Sequence, residues 1–309
     1  MTTYKLISAD SHVSEPTDLW VQCFDKKYRD RAPRLVASPA DPKGAYFYYE
    51  GYPLHPIGIG LGAGKSPEEL AQFLTRGTYA DARPGGWDPA ERLKDNELDG
   101  VEADVLYTTL GFRIFWLKDA GLQQDCFRVY NDWLATYCSY APKRNSITGM
   151  GRESQWDFGD RYMRATVLSH EVERSFSVLI FSGVLDRFPE LQIVSAENNC
   201  GWLPYYLQRM DRTFERGRYA AGFKIQCKPS EYFRRQMHCT YIDDYVGVAN
   251  RHFVGVDRMM WSSDYPHQAS SWPHSQDVVA RDFKDASADD RFKITRGNVA
   301  KLYGFALYA

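Results

Sequence analysis

The stretch Met259-Met260-Trp261-Ser262-Ser263-Asp264-Tyr265-Pro266-His267 decides the fold. An apolar run ends in Ser-Asp-Tyr-Pro, which reads as a buried strand over Arg258–Ser262 running into a turn, because Pro266 cannot continue a central strand. Asp264 then stands at the carboxyl end of that strand. In an α/β barrel the strand ends of that face carry the chemistry, so a carboxylate there is a candidate metal ligand or proton acceptor. The same residue would equally close an Asx turn or cap the following helix. Both readings are open from this stretch alone.

The start of the chain adds to the first of them. Tyr4–Val13 reads as a short first strand followed by Asp-x-His, at Asp10-Ser11-His12. Side chains two apart on an extended segment point the same way, so Asp10 and His12 share a face. A carboxylate and an imidazole so placed suit one borderline divalent ion, zinc ahead of manganese. An Asp-x-His pair is common by itself. Coupled to a late Asp after an apolar strand, it becomes a more specific pattern.

Between these ends, apolar strands alternate with helices. Expected strands are Val101–Thr109, Leu191–Ala196 and Gln236–Tyr241. Expected helices open at Asp88-Pro89, run over Gln123–Ala141 with Phe127, Tyr130, Asn131, Leu134 and Cys138 on one face, and span Asp160–Phe181 up to Gly183. Others follow from Trp202 and near Ser275 and Arg296. This order implies an α/β fold with parallel strands. No G-x-G-x-x-G follows the first strand, so a dinucleotide-binding sheet loses its main support and the barrel is the better reading. Residues 28–86 carry Pro33, Pro39, Pro42, Pro53, Pro56, Pro67 and Pro84 and a glycine cluster at Gly58, Gly60, Gly62 and Gly64. So long an irregular stretch reads as a functional insertion, a lid over the active face.

Composition narrows the class. The 309 residues are 44% hydrophobic and 25% charged, with a formal charge of -2. That is an ordinary globular chain without the basic surface of a nucleic-acid binder. No apolar run approaches membrane-span length and the N-terminus has no signal-like apolar region, which points to the cytoplasm. Six cysteines without a C-x-x-C pair read as buried thiols rather than disulfides or a zinc knuckle.

Several motifs in order then resemble a known family. They are I-S-A-D-S-H-V at 7–13 with Glu15-Pro16, Y-T-T-L-G at 107–111, N-D-W-L at 131–134, and F-S-G-V-L-D-R-F-P-E-L at 181–191. E-N-N-C-G-W-L-P-Y at 197–205, W-S-S-D-Y-P-H at 261–267 and N-V-A-K-L-Y-G at 298–304 complete them. The chain resembles the amidohydrolase superfamily, in the branch related to aminocarboxymuconate-semialdehyde decarboxylase. The resemblance implies a single (β/α)8 TIM-type barrel over residues 1–309 with one divalent metal ion. The implied reaction is hydrolysis or non-oxidative decarboxylation of a small carboxylated, often aromatic, substrate, and the implied assembly is a homodimer. Asp10 and His12 match the family's first-strand ligands, and Asp264 matches its last-strand aspartate, which in hydrolytic members also serves as base toward metal-bound water. Glu197 stands where relatives often carry histidine and would orient substrate or a proton. Its other reading is a partner for the helix start that follows.

The middle departs from the family pattern. Only Pro142–Gly159 lies where two further strand–helix units and a ligand histidine on a fifth strand would fit, and one βαβ unit needs about 30 residues. On that reading the barrel is incomplete here, and Ile147–Glu153 looks like the tail of the missing strand region. Either the chain has an internal deletion, or the protein holds a segment that this sequence lacks. With no histidine in the interval, His170 on the next helix is the candidate replacement ligand. His267, three residues after Asp264, would contact substrate or shuttle a proton. Arg113 and Arg152 are candidate carboxylate clamps, and His55 a lid residue reaching the site. A catalytically impaired scaffold with a binding or assembly role is the alternative that the missing histidine motivates.

Overall fold

The computed structural model describes residues 4–24, 26–38, 41–52, 54–147, 161–219, 222 and 224–307. The chain divides into two compact units, Met1–Arg152 with Ser263–Gln276, and Glu153–Ser262 with Asp277–Ala309.

In the first unit, β1 (Leu6–Val13) is buried along its whole length and pairs in parallel with β5 (Val101–Thr108). Asp10 and His12 therefore lie inside the strand rather than beyond it. Helix α1 is Leu19–Cys23. The segment expected to be an irregular insertion has structure of its own. β2 (Arg34–Ala37), β3 (Ala45–Tyr48) and β4 (His55–Pro56) form an antiparallel sheet. It is followed by α2 (Pro67–Arg76), which Ser66 and Glu69 open with reciprocal bonds between side chain and backbone. Phe47 packs on Trp20, ring centroids 5.6 Å apart, and so brings β3 into the core of this unit.

Helix α3 (Pro89–Leu98) starts as expected, with Asp88 accepting from the amides of Ala90 and Glu91 and proline at its first position. Helix α4 (Ala120–Ser139) buries Leu122, Cys126, Val129, Tyr130, Leu134, Tyr137 and Cys138. Asn131, expected on that face, is exposed. The apolar stripe is wide enough to read in two registers, and the structure takes the one centred on Cys126 and Val129. β6 (Asn145–Ile147) pairs in parallel with β5, completing a β5–α4–β6 unit. Asn145–Ile147 is thus the next strand beside β5 and not the remnant of a later one. Residues 148–153 of the expected remnant, and Arg152 with them, lie outside the described residues.

The second unit has the long helix α5 (Arg161–Phe181), ended by Gly183 in the left-handed region, then α6 (Val184–Arg187). β7 (Ile193–Ser195), β8 (Met237–Tyr241) and β9 (Met259–Trp261) form a parallel sheet in that order. Helix α7 (Leu203–Gly217) buries Leu203, Leu207, Met210 and Phe214, a single face at helical spacing. Trp261, Tyr241 and Phe233 are fully buried. Cys126, Cys138, Cys200 and Cys239 are buried free thiols, whereas Cys23 is exposed. Among the described residues no helix is long and apolar enough to cross a membrane.

Candidate active site

The residues that follow β9 bond to the backbone of β1. Asp264 N–H donates to the Asp10 carbonyl at 3.0 Å, and His12 N–H donates to the Tyr265 carbonyl at 2.7 Å. Beneath this seam lies a buried hydroxyl network. Ser11 Oγ is 2.8 Å from Ser8 Oγ and 3.0 Å from Ser263 Oγ, and it donates to Asp104 Oδ1 at 3.1 Å. Asp264 itself has φ 55°, the left-handed region that aspartate tolerates better than bulkier residues. The turn aims its carboxylate back at β1, so the residue closes the turn and presents an acid at the strand end at once.

Asp10, His12 and Asp264 are 0%, 1% and 2% exposed. His12 Nε2 lies 3.4 Å from Asp10 Oδ1 and 3.3 Å from Asp264 Oδ1, while its Nδ1 lies 3.1 Å from the Thr108 carbonyl. A carbonyl only accepts, so Nδ1 carries the proton and, in the neutral ring, Nε2 presents a lone pair toward two carboxylates. Three electron-rich groups held together out of water need a proton or a cation among them. A ring nitrogen fixed by a backbone carbonyl, with the other facing carboxylates, is the arrangement of a metal-ligating histidine. The donor set fits a divalent ion.

His267 completes the cluster. Its Nδ1 is 3.0 Å from Asp264 Oδ1 and its Nε2 is 3.1 Å from Thr109 Oγ1. The ligand atoms of His12, Asp264 and His267 lie within 4.8 Å of one another. The two imidazoles stack, with centroids 3.7 Å apart and planes at 21°. Nitrogen lone pairs lie in the ring plane, so two nearly parallel stacked rings cannot both aim one at the same ion. His267 is therefore placed as the partner of Asp264, 17% exposed where Asp264 is almost fully covered.

The loop after β5 is held by Glu15. Its carboxylate accepts from Leu110 N–H at 2.9 Å, Gly111 N–H at 3.1 Å and the Thr108 hydroxyl. Burial raises its pKa, against these bonds. The glycine-rich part of the insertion presses on the same region. Ala63 N–H donates to the Pro266 carbonyl at 3.0 Å, and a Cβ on Gly60 would stand 2.3 Å from Thr109 Cγ2. His55 lies 3.4 Å from Arg113 and is driven down to about 3 by burial and then by that neighbouring charge. Arg113 also lies over the Trp116 ring.

The remaining expected residues belong to the second unit. Glu197 follows β7 in the left-handed region at φ 62°, its N–H donating to Thr240 Oγ1 at 3.2 Å. The helix-start role open to it is taken by Asp244, which accepts from Cys200 and Gly201 N–H at 2.7 Å each. His170 is exposed on α5, on a helix and not at a strand end. The ligand role expected of it has no support there.

Sequence patterning overlooked a whole polar layer. Arg92, Asp95, Asn96 and Asp99, all buried, line one side of α3 and the residue that ends it. Their i, i+3, i+4, i+7 spacing was available as a signal, but a search for apolar periodicity passes over it.

A family model described as amidohydrolase matches residues 148–305, just over half the chain; β1 and its Asp-x-His pair precede the match. Among solved structures, an amidohydrolase of Mycobacterium avium subsp. paratuberculosis K-10 has a TM-score of 0.77 at 17% identity, covering 98% of this chain and 100% of its own. The 5-carboxyvanillate decarboxylase of Novosphingobium aromaticivorans DSM 12444, solved with manganese and 4-hydroxy-3-methoxy-5-nitrobenzoic acid, has 0.62 at 17%, covering 97% and 96%. The 2,6-dihydroxybenzoate decarboxylase of Rhizobium has 0.61 at 14%, covering 98% and 99%. These likenesses establish a shared fold over nearly the full length of each chain.

Proposed function

The chain belongs to the amidohydrolase family, and from that premise we propose that it is a divalent-metal enzyme removing a carboxyl group, without oxidation, from a small aromatic carboxylate. The observation that carries the reading is His12, its Nδ1 held by the Thr108 carbonyl and its Nε2 turned to the buried carboxylates of Asp10 and Asp264. Two similar structures named as decarboxylases of such acids favour decarboxylation over hydrolysis.

Asp10, His12 and Asp264 would hold the ion. When bound, it would polarise and orient the substrate carboxylate as a Lewis acid. The mixed oxygen and nitrogen donors admit zinc or manganese. Manganese in a similar structure makes it the first ion to try. Loss of carbon dioxide leaves an electron pair on the ring carbon, which must take up a proton. Asp264 would hold that proton, and His267, 3.0 Å from it and more open to solvent, would exchange it. Glu197 follows β7 as Asp264 follows β9, and a role in orienting substrate or a proton rests on that position.

The architecture we propose is a single (β/α)8-type barrel shortened between β6 and β7, with 28–86 as a lid. Parallel sheets of three strands in each unit support the first part, and the contacts of Gly60 and Ala63 with the Thr109 and Pro266 region support the second. A cytoplasmic homodimer completes the proposal; a monomeric mass by light scattering would remove the dimer.

The test is metal content together with carbon dioxide release from 5-carboxyvanillate and 2,6-dihydroxybenzoate, for the wild type and Asp264→Asn. About one divalent ion per chain and turnover lost in the variant are expected. The absence of any histidine from 142–159 favours, as a second reading, a scaffold that binds metal without turning over; bound metal with no carbon dioxide from either acid, and no hydrolysis of ester or amide analogues, would select it.

A further inference from the structure

Helix α3 is polar on its buried side. Arg92, Asp95 and Asn96, with Asp99 just after the helix, are each 3% exposed or less. Burying four such groups is unfavourable unless each finds partners. Arg92 and Asp95 find partners on the segments that carry the candidate ligands, Asn96 on Asp104 and Asp99 on Ser275.

Arg92 Nη1 donates to the backbone carbonyl of His12 at 2.7 Å and Nε to Asp104 Oδ2 at 3.3 Å. Its guanidinium lies over the Tyr265 ring, 4.7 Å from the centroid. Asn96 donates to the same Asp104, and the Tyr265 hydroxyl donates to Asp95. One side chain thus touches the backbone of His12 and the residue following Asp264.

We propose that Arg92 is a positioning residue for the metal site, fixing the spacing of His12 and Asp264 through the His12 carbonyl on one side and the Tyr265 ring on the other. The inference rests on the metal reading above. A buried ion pair is weak evidence for stability, since apolar residues of similar volume often serve as well. What an apolar residue cannot supply is a planar group that donates in two directions and stacks on a ring at the same time. Lysine would keep the charge beside Asp104 and lose that geometry.

The experiment compares manganese affinity, by isothermal titration on the full chain, for the wild type, Arg92→Lys and Asp88→Ala. Asp88→Ala weakens the same helix at its cap without touching its polar side. Arg92→Lys is expected to weaken binding about 10- to 100-fold, the usual effect of losing an outer-shell partner, with Asp88→Ala within about twofold of wild type. Equal affinity of Arg92→Lys and wild type, or an equal loss in Asp88→Ala, overturns the proposal. If Arg92→Lys does not fold, Arg92→Met with Asp104→Asn removes both charges and is held to the same expectation. A wild type that binds neither manganese nor zinc overturns the metal reading itself, and the positioning role with it, before any variant is compared.

Discussion

His12 Nε2 lies 3.3 Å from Asp264 Oδ1 with both side chains buried, although 252 positions separate them in the chain. The contact is set from both ends, by the Thr108 carbonyl on His12 Nδ1 and by the Asp264 amide on the Asp10 carbonyl. Removing either partner removes a donor and leaves the other acid or imidazole buried without it. His12→Ala and Asp264→Asn are each expected to lower divalent-ion affinity by more than about 100-fold, beyond the range of outer-shell changes. Thermal unfolding reads the same loss. An ion at 100 times its dissociation constant stabilises by about 2.7 kcal/mol, so adding it should raise the wild-type Tm and leave both variants unmoved.

Gly60 makes room for the pairing of Thr109 with His267. A methyl group there would stand 2.3 Å from Thr109 Cγ2 and 3.8 Å from His267 Cδ2, so Thr109 must turn or the insertion must lift. Overpacking of this kind costs about 1–3 kcal/mol. Gly60→Ala is expected to cut turnover by about tenfold and leave metal affinity near wild type, because His12, Asp10 and Asp264 do not touch the added group. A loss of affinity equal to the loss of rate would mean that His267 shares in holding the ion.

The parts of the site that a sequence displays are those fixed by strand geometry. Asp10 and His12 are two apart on a strand, and Asp264 follows an apolar strand into a proline turn, so period and punctuation mark them as candidates and the family resemblance singles them out. Strands β5, β8 and β9 end within a residue or two of where their apolar runs end. The polar side of α3 is hidden for the opposite reason. Arg92 and Asp95 look like solvent-facing charges, and partners on β1, on β5, at Arg83 and after β9 make them interior. The insertion holds a signal of its own, because Ser66-Pro67-Glu68-Glu69 has the spacing of a capping box and marks α2. Strands β2 and β3, four residues each among prolines, have no periodicity long enough to read. Asp244 caps residues more than forty positions earlier, which no local pattern records.

Glu15 holds the backbone amides of Leu110 and Gly111, in the loop that follows Thr108, whose carbonyl meets His12. Glu15→Leu would leave two buried N–H groups and a hydroxyl without an acceptor. At about 1–3 kcal/mol for each unsatisfied group, a loss of several kcal/mol is expected, lessened where water or loop movement re-pairs them. Urea denaturation measures it. A variant within about 0.5 kcal/mol of wild type would show that the loop is held by its apolar contacts, with Glu15 a passenger.

Asp99 gives a pH dependence opposite to that of ordinary salt-bridged carboxylates. It accepts from the Ser275 amide at 2.9 Å and from the Ser275 hydroxyl, yet burial pushes its pKa up from 3.8 to about 6, against those bonds. Between about pH 4 and 6 the folded chain keeps a proton on Asp99 that the unfolded chain has released. Folding therefore binds the proton, and the contribution of Asp99 to stability is present below pH 4 and falls as pH rises through 6, by up to about 3 kcal/mol. Asparagine resembles the protonated acid at every pH. Asp99→Asn should match wild type near pH 4 and exceed it at pH 7, with the difference opening across the window between. Unfolding curves in urea at half-unit pH steps decide it: two parallel stability profiles would mean that Asp99 stays ionised throughout, held so by Ser275.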